Sequence, residues 1–488
     1  MSETEILTLL PFLVVSGLAL LIVVLDMVSP RNDRLAATVG AVGVLVAIGV
    51  TLYCGPFAGI GRLPAEGGTF QGVYGRDQAT AFLDLLFLGI AFLTICFAPD
   101  YLAPRKLPVA EFVATLLFAI SGAMLLAGAR DLLILFIGLE LLVLPGYLMA
   151  GFAKRDGLST EGAIKYFLLG SFSSAILLFG FAFIFGMTGT TSIAGIAERI
   201  GAIAGGYAPL PMGLGMGIAL VLTGVAFKIA AVPFHYWTPD AYQGSPTPVT
   251  GYLSVGPKVA ALALTLRLFV DAFGPMREDW WAFIAILAAI TMTVGNLAAL
   301  GQDNIKRMLA YSSIAHTGYI LVGLAVFGAA SDPTVRELGI QGVLFYGAAY
   351  ATMNLGAFAV VAALQRRPGV TSQISSFAGL GRRAPLLGIA MTLFLLSLVG
   401  IPPTAGFFAK TMIVLSAVQG GGWLTVLGVI LMLNAAAAAF YYLRVVVTMY
   451  MRDPAENAKP IEVGGWTRLG LVIAAAGTVA IGLLPPVT

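Results

Sequence analysis

Five ionisable residues lie inside long apolar stretches of this sequence: Glu140, Lys165, Lys228, Lys258 and Lys410. A charge at the centre of a membrane helix costs roughly 2.5–3.5 kcal/mol on insertion scales, so such residues face a hydrated interior or a partner. Lysine and glutamate both gain and lose a proton. Several of them inside one membrane protein therefore predict a path for protons.

The composition predicts a membrane protein with many spans. Of 488 residues, 59% are hydrophobic and 10% are charged, whereas a soluble domain carries about 25% charged residues. The net charge of +3, with no basic run interleaved with aromatic residues, gives no sign of a nucleic-acid partner. Cys54 and Cys96 lie far apart, and an iron–sulfur cluster needs about four ligands, so we expect packing roles for both and no metal or cofactor. The acidic N-terminus argues against a secretory signal.

Fourteen segments are apolar enough to span a bilayer, which takes about 20 residues. They are residues 5–28, 35–54, 79–98, 108–128, 131–151, 162–187, 212–233, 251–272, 279–300, 305–328, 340–365, 385–418, 423–451 and 465–485. The seventh runs into Pro233, and the twelfth contains Pro402 and Pro403. Proline removes a backbone donor, so both helices should break, which membrane depth tolerates only where the backbone lines protein or water. The predicted fold is an all-α polytopic membrane protein with broken helices 7 and 12.

Basic residues in the loops predict the orientation. Loops after odd-numbered spans hold fifteen: Arg31, Arg34, Arg105, Lys106, Lys154, Arg155, Lys306, Arg307, Arg366, Arg367, Arg382, Arg383, Arg452, Lys459 and Arg468. Loops after even-numbered spans hold six: Arg62, Arg76, Arg130, Arg199, Arg277 and Arg336. The odd-numbered loops are therefore expected inside. Both termini would then be periplasmic, in a bacterial inner (plasma) membrane.

An internal repeat relates the two halves. Span five matches span ten at an offset of 172 residues, and span six matches span eleven at an offset of 180. At the first offset the identical pairs are Asp131 and Asp303, Gly146 and Gly318, Tyr147 and Tyr319, and Gly151 and Gly323. The repeating unit has five helices, an odd number, so its copies are inverted, as in transporters with broken helices near the site. This alignment places Glu140 opposite Ser312 and Lys165 opposite Phe345, so we infer two half-paths with different charges.

The repeat also predicts the domain organisation. Residues 1–107 hold helices 1–3, residues 108–272 the first repeat (helices 4–8), residues 273–451 the second repeat (helices 9–13), and residues 452–488 helix 14.

Long motifs in residues 227–249, 302–319 and 400–410 carry a resemblance. Together with Glu140 and Lys165, they resemble the antiporter-like subunits of respiratory complex I, the proton-translocating NADH:quinone oxidoreductase, over nearly the whole chain. Among these, three features favour the N type over L and M. Lys410 stands where M has a glutamate, Lys258 follows Gly-Pro where L and M commonly have a histidine, and no long lateral helix follows span fourteen.

The resemblance implies a role for each buried group. Glu140 and Lys228 would pair at the start of the path, Lys165 would tune that pair, Lys258 would be the central relay, and Lys410 the terminal site. We add His316, which lies in mid-span on the face of Ser312, because histidine as a residue type ordinarily titrates near neutral pH.

Each role has a structural alternative. Glu140 and Lys228 could be a static ion pair; Lys165 and Lys258 could reach toward a surface; Lys410 could balance the charge of a broken-helix end; and His316 could be a packed core histidine.

The resemblance implies a non-redox subunit that couples quinone reduction to proton pumping. NADH (or ferredoxin) and quinone would reach only the partners, which include other antiporter-like membrane subunits in the bilayer. Two other functions stay open. An ion-exchanging subunit of a multisubunit Na⁺/H⁺ antiporter would need more acidic membrane residues than Glu140. A scaffold with an inactive channel would not need Lys228, Lys258 and Lys410.

Overall fold

The computed structural model describes residues 2–30, 32–57, 60–64, 66–204, 211–367, 369–454 and 461–483. Arg31, Lys459 and the last two residues of the predicted span 465–485 lie outside these ranges. The helices are α1 (Glu3–Val28), α2 (Asp33–Cys54), α3 (Gln78–Leu102), α4 (Val109–Ala127), α5 (Leu132–Ala150), α6 (Gly157–Thr188), α7 (Ile193–Ala204), α8 (Met212–Lys228), α9 (Trp237–Gly244), α10 (Thr247–Thr265), α11 (Arg277–Leu300), α12 (Ile305–Ala329), α13 (Pro333–Leu364), α14 (Leu380–Arg383), α15 (Pro385–Val399), α16 (Ala405–Gly420), α17 (Gly422–Met451) and α18 (Gly465–Leu483). The strands β1 (Gly68–Phe70) and β2 (Tyr74–Arg76) form an antiparallel hairpin before α3.

The all-α polytopic fold with fourteen spans is confirmed. In the described part of the chain, 12 continuous helices are long and apolar enough to cross a membrane. The other two spans are the interrupted pairs α8–α9 and α15–α16, which are the predicted broken helices 7 and 12. α15 ends at Val399 and is followed by Gly400, whose φ of +94° is a conformation that glycine enters without steric cost.

Some local predictions were wrong at their edges. α6 and α13 begin at Gly157 and Pro333 rather than at residues 162 and 340. Their first turns are polar, and the side chains of Asp156 and Asp332 cap them by accepting from backbone N–H groups. A hydropathy profile does not detect polar first turns and side-chain caps of this kind. The hairpin and the amphipathic helix α7 were also not predicted.

Backbone hydrogen bonds support the predicted inverted repeats by pairing equivalent segments in the two copies. In each copy, the start of one helix pairs with the segment that follows the next long helix. The bonds are Leu132 N to Thr191 O and Ile193 N to Arg130 O in the first copy, and Ile305 N to Ser372 O and Ile374 N to Asp303 O in the second. Asp131 and Asn304 cap the equivalent helices, α5 and α12.

These bonds correct the predicted register by one residue. Leu132 corresponds to Ile305, an offset of 173, and Ile193 to Ile374, an offset of 181. Glu140 therefore lies opposite Ser313 rather than Ser312. The second offset applies to the segments after α6 and α13, because the connections from Thr188 to Thr191 and from Leu364 to Ser372 differ in length. The pairing of Lys165 with Phe345 stays a prediction. The predicted offset rested on a few identical side chains, whereas the equivalence is set by backbone pairing at the helix starts.

Helix packing supports the corrected register. Gly122 packs against the backbone of Leu142, and Gly295 packs in the same way against Ala315. Both pairs are related by 173 residues.

The centre of the bundle is formed by α10, α12 and α13. In their most apolar windows 89%, 94% and 89% of residues are buried, against 33% in α1, α17 and α18. The central helices carry Lys258 and His316. The predicted domain divisions after residues 107, 272 and 451 fall between helices, and the division itself stays a prediction.

Candidate functional site: a row of buried ionisable residues

Lys228 is the last residue of α8 and is buried against α6. Its Nζ donates to Ser174 Oγ at 2.9 Å and to Gly170 O at 3.3 Å. Glu140 on α5 lies near enough for its charge to act on Lys228, but the two are more than 4.0 Å apart. The Oε1 atom of Glu140 is buried without a hydrogen-bond partner. The two predicted partners are thus neighbours, and in this state they are not an ion pair.

A small cavity separates Lys228 from α10. It is lined by Lys228, Tyr166, Trp237 and Pro257, the residue before Lys258, and offers about 10 Å³ to a water-sized sphere. That is room for about one water molecule. One water molecule here could bridge Lys228, on the first broken helix, and the central helix α10.

Lys258 lies in the centre of the bundle. It is buried, and its Nζ donates to the carbonyl oxygen of Ser313 and to Thr317 Oγ1 at 3.0 Å, both on α12. Thr317 in turn donates to Ile229 O, just after α8, at 2.8 Å. Lys258 therefore does not reach a surface. It joins α10 and α12 to the broken first helix.

His316 continues the row of buried ionisable residues that begins with Glu140, Lys228 and Lys258. Its Nδ1 is 2.7 Å from Tyr346 Oη and its Nε2 is 3.2 Å from Tyr442 Oη. A second cavity of about 10 Å³ is lined by Lys258, His316 and Tyr350. His316 is buried with both nitrogens engaged, so the packed-histidine alternative describes its contacts, and the cavity connects it with Lys258.

Lys410 closes the row in the second repeat. Its Nζ donates to Leu398 O at 2.8 Å and to Val399 O at 2.7 Å, the last two carbonyls of α15. It also lies 5.1 Å from the centre of the Tyr319 ring. The side chain is buried. Lys410 therefore lies where it can balance the charge of the broken-helix end, as the structural alternative expects. It is also the last ionisable residue of the row.

The transmembrane family described as "NADH:quinone oxidoreductase/Mrp antiporter, TM" matches residues 129–434, which contain the whole row. The chain belongs to this family. It is 44% identical over 410 residues to NADH-quinone oxidoreductase subunit N of Trichlorobacter lovleyi, covering 84% of this chain and 81% of the relative. It is 40% identical over 490 residues to NADH-quinone oxidoreductase subunit N 1 of Koribacter versatilis, covering 100% and 94%.

A solved structure of respiratory complex I from Thermus thermophilus with bound aureothin contains a similar chain. The two share 32% sequence identity with a TM-score of 0.78, over 97% of each chain. The predicted resemblance to antiporter-like subunits of the N type is confirmed by these comparisons.

Lys165 does not contact Glu140 in this antiporter-like subunit. Its Nζ lies 2.6 Å from Glu161 Oε1 and 2.7 Å from Asp240 Oδ2. Asp240 is shared with Arg307, whose Nη1 lies 2.6 Å from Oδ1. The expected tuning contact is therefore absent in this state. Glu161, one turn away on the same helix, and Asp240, just beyond the break, hold the lysine in its place.

Sequence reasoning missed the hydroxyl groups that complete the row: Ser174, Tyr346, Tyr350 and Tyr442. Tyr346 and Tyr350 are one turn apart, so a polar stripe on a central helix was a signal that could have found them. Tyr442 and Ser174 lie next to other polar residues, Tyr441 and Ser173, and the sequence does not show which of each pair faces the row.

A second charged cluster lies away from the row, where α3 and α5 begin. Arg267 Nη2 is 3.1 Å and Arg130 Nη2 is 2.5 Å from Asp77 Oδ2. Burial opposes ionisation of Asp77, but the charges of Arg267 and Arg130 outweigh it and hold its pKa well below the usual range. Arg76, which we counted as a loop charge, is fully buried against Asp84 at 2.7 Å. Neither group contacts the row, so we assign them to holding the helix ends together.

Proposed function

We propose that this chain is the N subunit of a complex I-type NADH:quinone oxidoreductase and that it moves protons across the membrane. The path is the row Glu140, Lys228, Lys258, His316 and Lys410. The observation that carries the proposal is how the three buried lysines are held. Each donates to carbonyl or hydroxyl oxygens rather than to a carboxylate. Such an ammonium can give up its proton without leaving a buried carboxylate unpaired.

The energy required is small enough for this chemistry. Moving one charge across 100 mV takes about 2.3 kcal/mol. A change of about two units in the pKa of one group supplies this, at about 1.36 kcal/mol per unit. In the proposal, Glu140 moves toward or away from Lys228 and so changes that lysine's affinity for a proton.

The redox steps are placed in partner subunits. Among the described residues, no group of three or more His, Cys, Asp and Glu side chains could hold a metal ion. The relatives are named as subunits of NADH-quinone oxidoreductase. As part of this proposal we assign NADH (or ferredoxin) and quinone to other subunits, and to this chain the coupled movement of protons.

One face of α5 supports a neighbouring membrane subunit as partner. Leu133, Ile137, Leu144 and Leu148 are 50–70% exposed along this face, and the half-buried Glu140 lies between them. A carboxylate at this depth is costly against lipid. Cover by another membrane subunit would put Glu140 inside a protein interface, where a charge in the neighbour can act on it.

The proposed orientation is the one that the basic loops predict. Both termini would be periplasmic, and the loops that contain Lys154 and Arg366 cytoplasmic, in the inner membrane of a bacterium. Periplasmic labelling of a tag fused to the N-terminus would test this, and cytoplasmic labelling would contradict it.

The central test is the number of protons moved per electron. In complex reconstituted into vesicles, Lys258→Ala should assemble yet pump no protons during NADH oxidation. The matched control is Lys154→Ala, because Lys154 is exposed in the loop after α5. A normal ratio of protons to electrons in Lys258→Ala would show that the row is not the path.

Sodium–proton exchange is the alternative, since the family description also includes Mrp antiporters. That function predicts that a sodium gradient drives proton movement in vesicles without NADH. We expect none, because Glu140 is the row's one carboxylate, whereas sodium would need several oxygen ligands, as other hard cations do. Exchange without NADH that Glu140→Gln abolishes would favour the alternative.

A further inference from the structure

A polar vestibule opens at the seam between the two repeats, on the side of the bundle that we assign to the cytoplasm. It offers about 410 Å³ to water-sized spheres and is half open. Its walls come from the end of α3, the loop between α5 and α6, the turn between α9 and α10, the start of α12 and the loop after α13. Arg105, Asp156, Gln243 and Gln365 are among its polar lining residues. It shares no lining residue with the cavities beside Lys228 and Lys258.

Lys306 lies at the inner wall of this vestibule. We counted it as a loop charge, but it is in the first turn of α12 and only 3% exposed. Its ammonium donates to the carbonyl oxygen of Ser245, and the described residues offer it no other hydrogen-bond acceptor. An ammonium has three N–H donors. Two of them are therefore left for water in the vestibule.

The other polar groups of the vestibule are largely engaged. The guanidinium of Arg105 donates to the carbonyl oxygens of Tyr101, Gln365 and Arg366. Gln365 accepts from Thr247 and donates to Ser372. Among the described residues that line the vestibule, Lys306 is thus the buried ionisable group with spare donors.

Lys306 shares a face of α12 with Ser313, whose carbonyl holds Lys258. Seven residues separate them, which is two turns or about 10 Å along the helix. Between them on that face lie Leu309 and Ala310, both fully buried. These two buried apolar side chains close the stretch in this state, so they separate the vestibule from Lys258.

Two polar side chains lie at the inner end of this stretch. The hydroxyls of Ser313 and Tyr350 are buried and lie close to each other, without a partner in good hydrogen-bond geometry. Both residues line the one-water cavity beside Lys258. Water that passed Leu309 and Ala310 would meet these hydroxyls first.

We propose that the vestibule is a second water-filled proton entrance that feeds Lys258 through Lys306, separately from Lys228. In each cycle Lys306 gives one proton to water on the α12 face and regains one from the vestibule. The net change is one proton delivered to Lys258. The stretch at Leu309 and Ala310 acts as the gate, since a pump must not connect its two sides at once. This proposal rests on the proposed function, because Lys258 must be a proton carrier for the entrance to matter.

Cysteine reactivity tests whether water passes the gate. In a background with Cys54→Ala and Cys96→Ala, both native thiols, which are buried, are removed. Ser313→Cys is then treated with a membrane-impermeant thiol reagent in inside-out vesicles, with and without NADH. Thr371→Cys, exposed at the vestibule, is the positive control, and Ser121→Cys, an equally buried helix serine, is the negative control.

The expected result is several-fold faster reaction of Ser313→Cys during NADH turnover than at rest. Adding Lys306→Met should abolish that increase. Reaction of Ser313→Cys no faster than Ser121→Cys under both conditions would overturn the entrance. So would an increase that Lys306→Met leaves unchanged, since water would then arrive by another way.

Pumping rates separate a proton carrier from a structural anchor. Lys306→Met and Lys306→Arg should both slow NADH-driven pumping several-fold in assembled complex. Arginine keeps the charge and a donor for Ser245 O but stays protonated. If Lys306→Arg pumped at the normal rate while Lys306→Met did not, Lys306 would be an anchor and the proposal would fail.

The two proposals fail differently. Normal pumping by Lys258→Ala would contradict the proposed function itself. Loss of pumping in Lys258→Ala, with normal pumping in both Lys306 variants and an unreactive Ser313→Cys, would contradict only the proposed entrance.

Discussion

The two broken helices hold their lysines in opposite ways. In the first repeat, Lys228 precedes the break and reaches across to Ser174 and Gly170 on the neighbouring helix α6. In the second repeat, Lys410 follows the break and reaches back to Leu398 O and Val399 O, in the other half of its own span. Equivalent breaks in the repeated scaffold thus present a lysine from opposite sides.

The difference lies in what balances each charge. The carbonyls at the end of α15 are fixed backbone groups at the negative end of a helix dipole, which favours a cation there. Lys228 instead has a hydroxyl, a single carbonyl and, more than 4.0 Å away, the side chain of Glu140. We infer that the first site is the one that switches and the second is the one that receives.

Removal of Lys410 should have the largest effect. Lys410→Ala takes away the receiving group and leaves two buried carbonyls without their donor. We expect proton flux to fall by about 100-fold, the low end for a positioned proton-transfer group, and quinone reduction to slow with it. Lys410→Gln, which can still donate to a carbonyl, should assemble and fail to pump. Normal pumping by Lys410→Gln in vesicles would reduce Lys410 to a packing contact.

Replacement of Lys228 sharpens the contrast, because the first site must change its protonation. Lys228→Arg keeps a positive charge that can donate to Ser174 but stays protonated in proteins. We expect pumping as low as in Lys228→Ala, measured as protons per electron in vesicles. If arginine supported a normal ratio, a fixed charge would suffice and the switching role of the first repeat would be wrong.

Removal of one hydroxyl between the two sites should have a moderate effect. Tyr442→Phe deletes the group that contacts both His316 and Ser312. A hydrogen bond of this kind contributes roughly 0.5–1.5 kcal/mol, so pumping should slow by about twofold to tenfold. Tyr450→Phe, on the same helix but away from the row, is the control. Equal pumping rates in the two variants would show that proton movement does not depend on this hydroxyl.

Disruption of the second charged cluster, which surrounds Asp77, should leave proton pumping unchanged. Asp77→Asn weakens the contacts to Arg130 and Arg267, so thermal unfolding of the complex should begin at a lower temperature. The pKa of Asp77 is held below its usual range, so its stabilising effect is present above the unfolded pKa of about 3.9. It is lost only as pH falls toward the depressed folded value. The destabilisation by Asp77→Asn should therefore be present at neutral pH and shrink only in strong acid. A lowered proton-to-electron ratio would tie this cluster to the path.

Much of the fold followed from local features of the sequence. Spans are visible because a bilayer demands long apolar helices. The two breaks are visible because proline disrupts a helix wherever it occurs. The buried ionisable residues stand out because each is costly in its own helix. These effects act within about twenty residues, so the chain displays them directly.

Tertiary structure alone decided which distant atoms hold Lys258 and Lys165. Lys258 meets Ser313 and Thr317, and Lys165 meets Asp240, partners 55 to 75 residues away. The one-residue register of the repeat was likewise set by backbone bonds between distant segments. Periodicity along one helix records which face is apolar but not which helix comes to lie against it. The physical reason is that packing in three dimensions, and not spacing along the chain, brings the acceptors to each lysine.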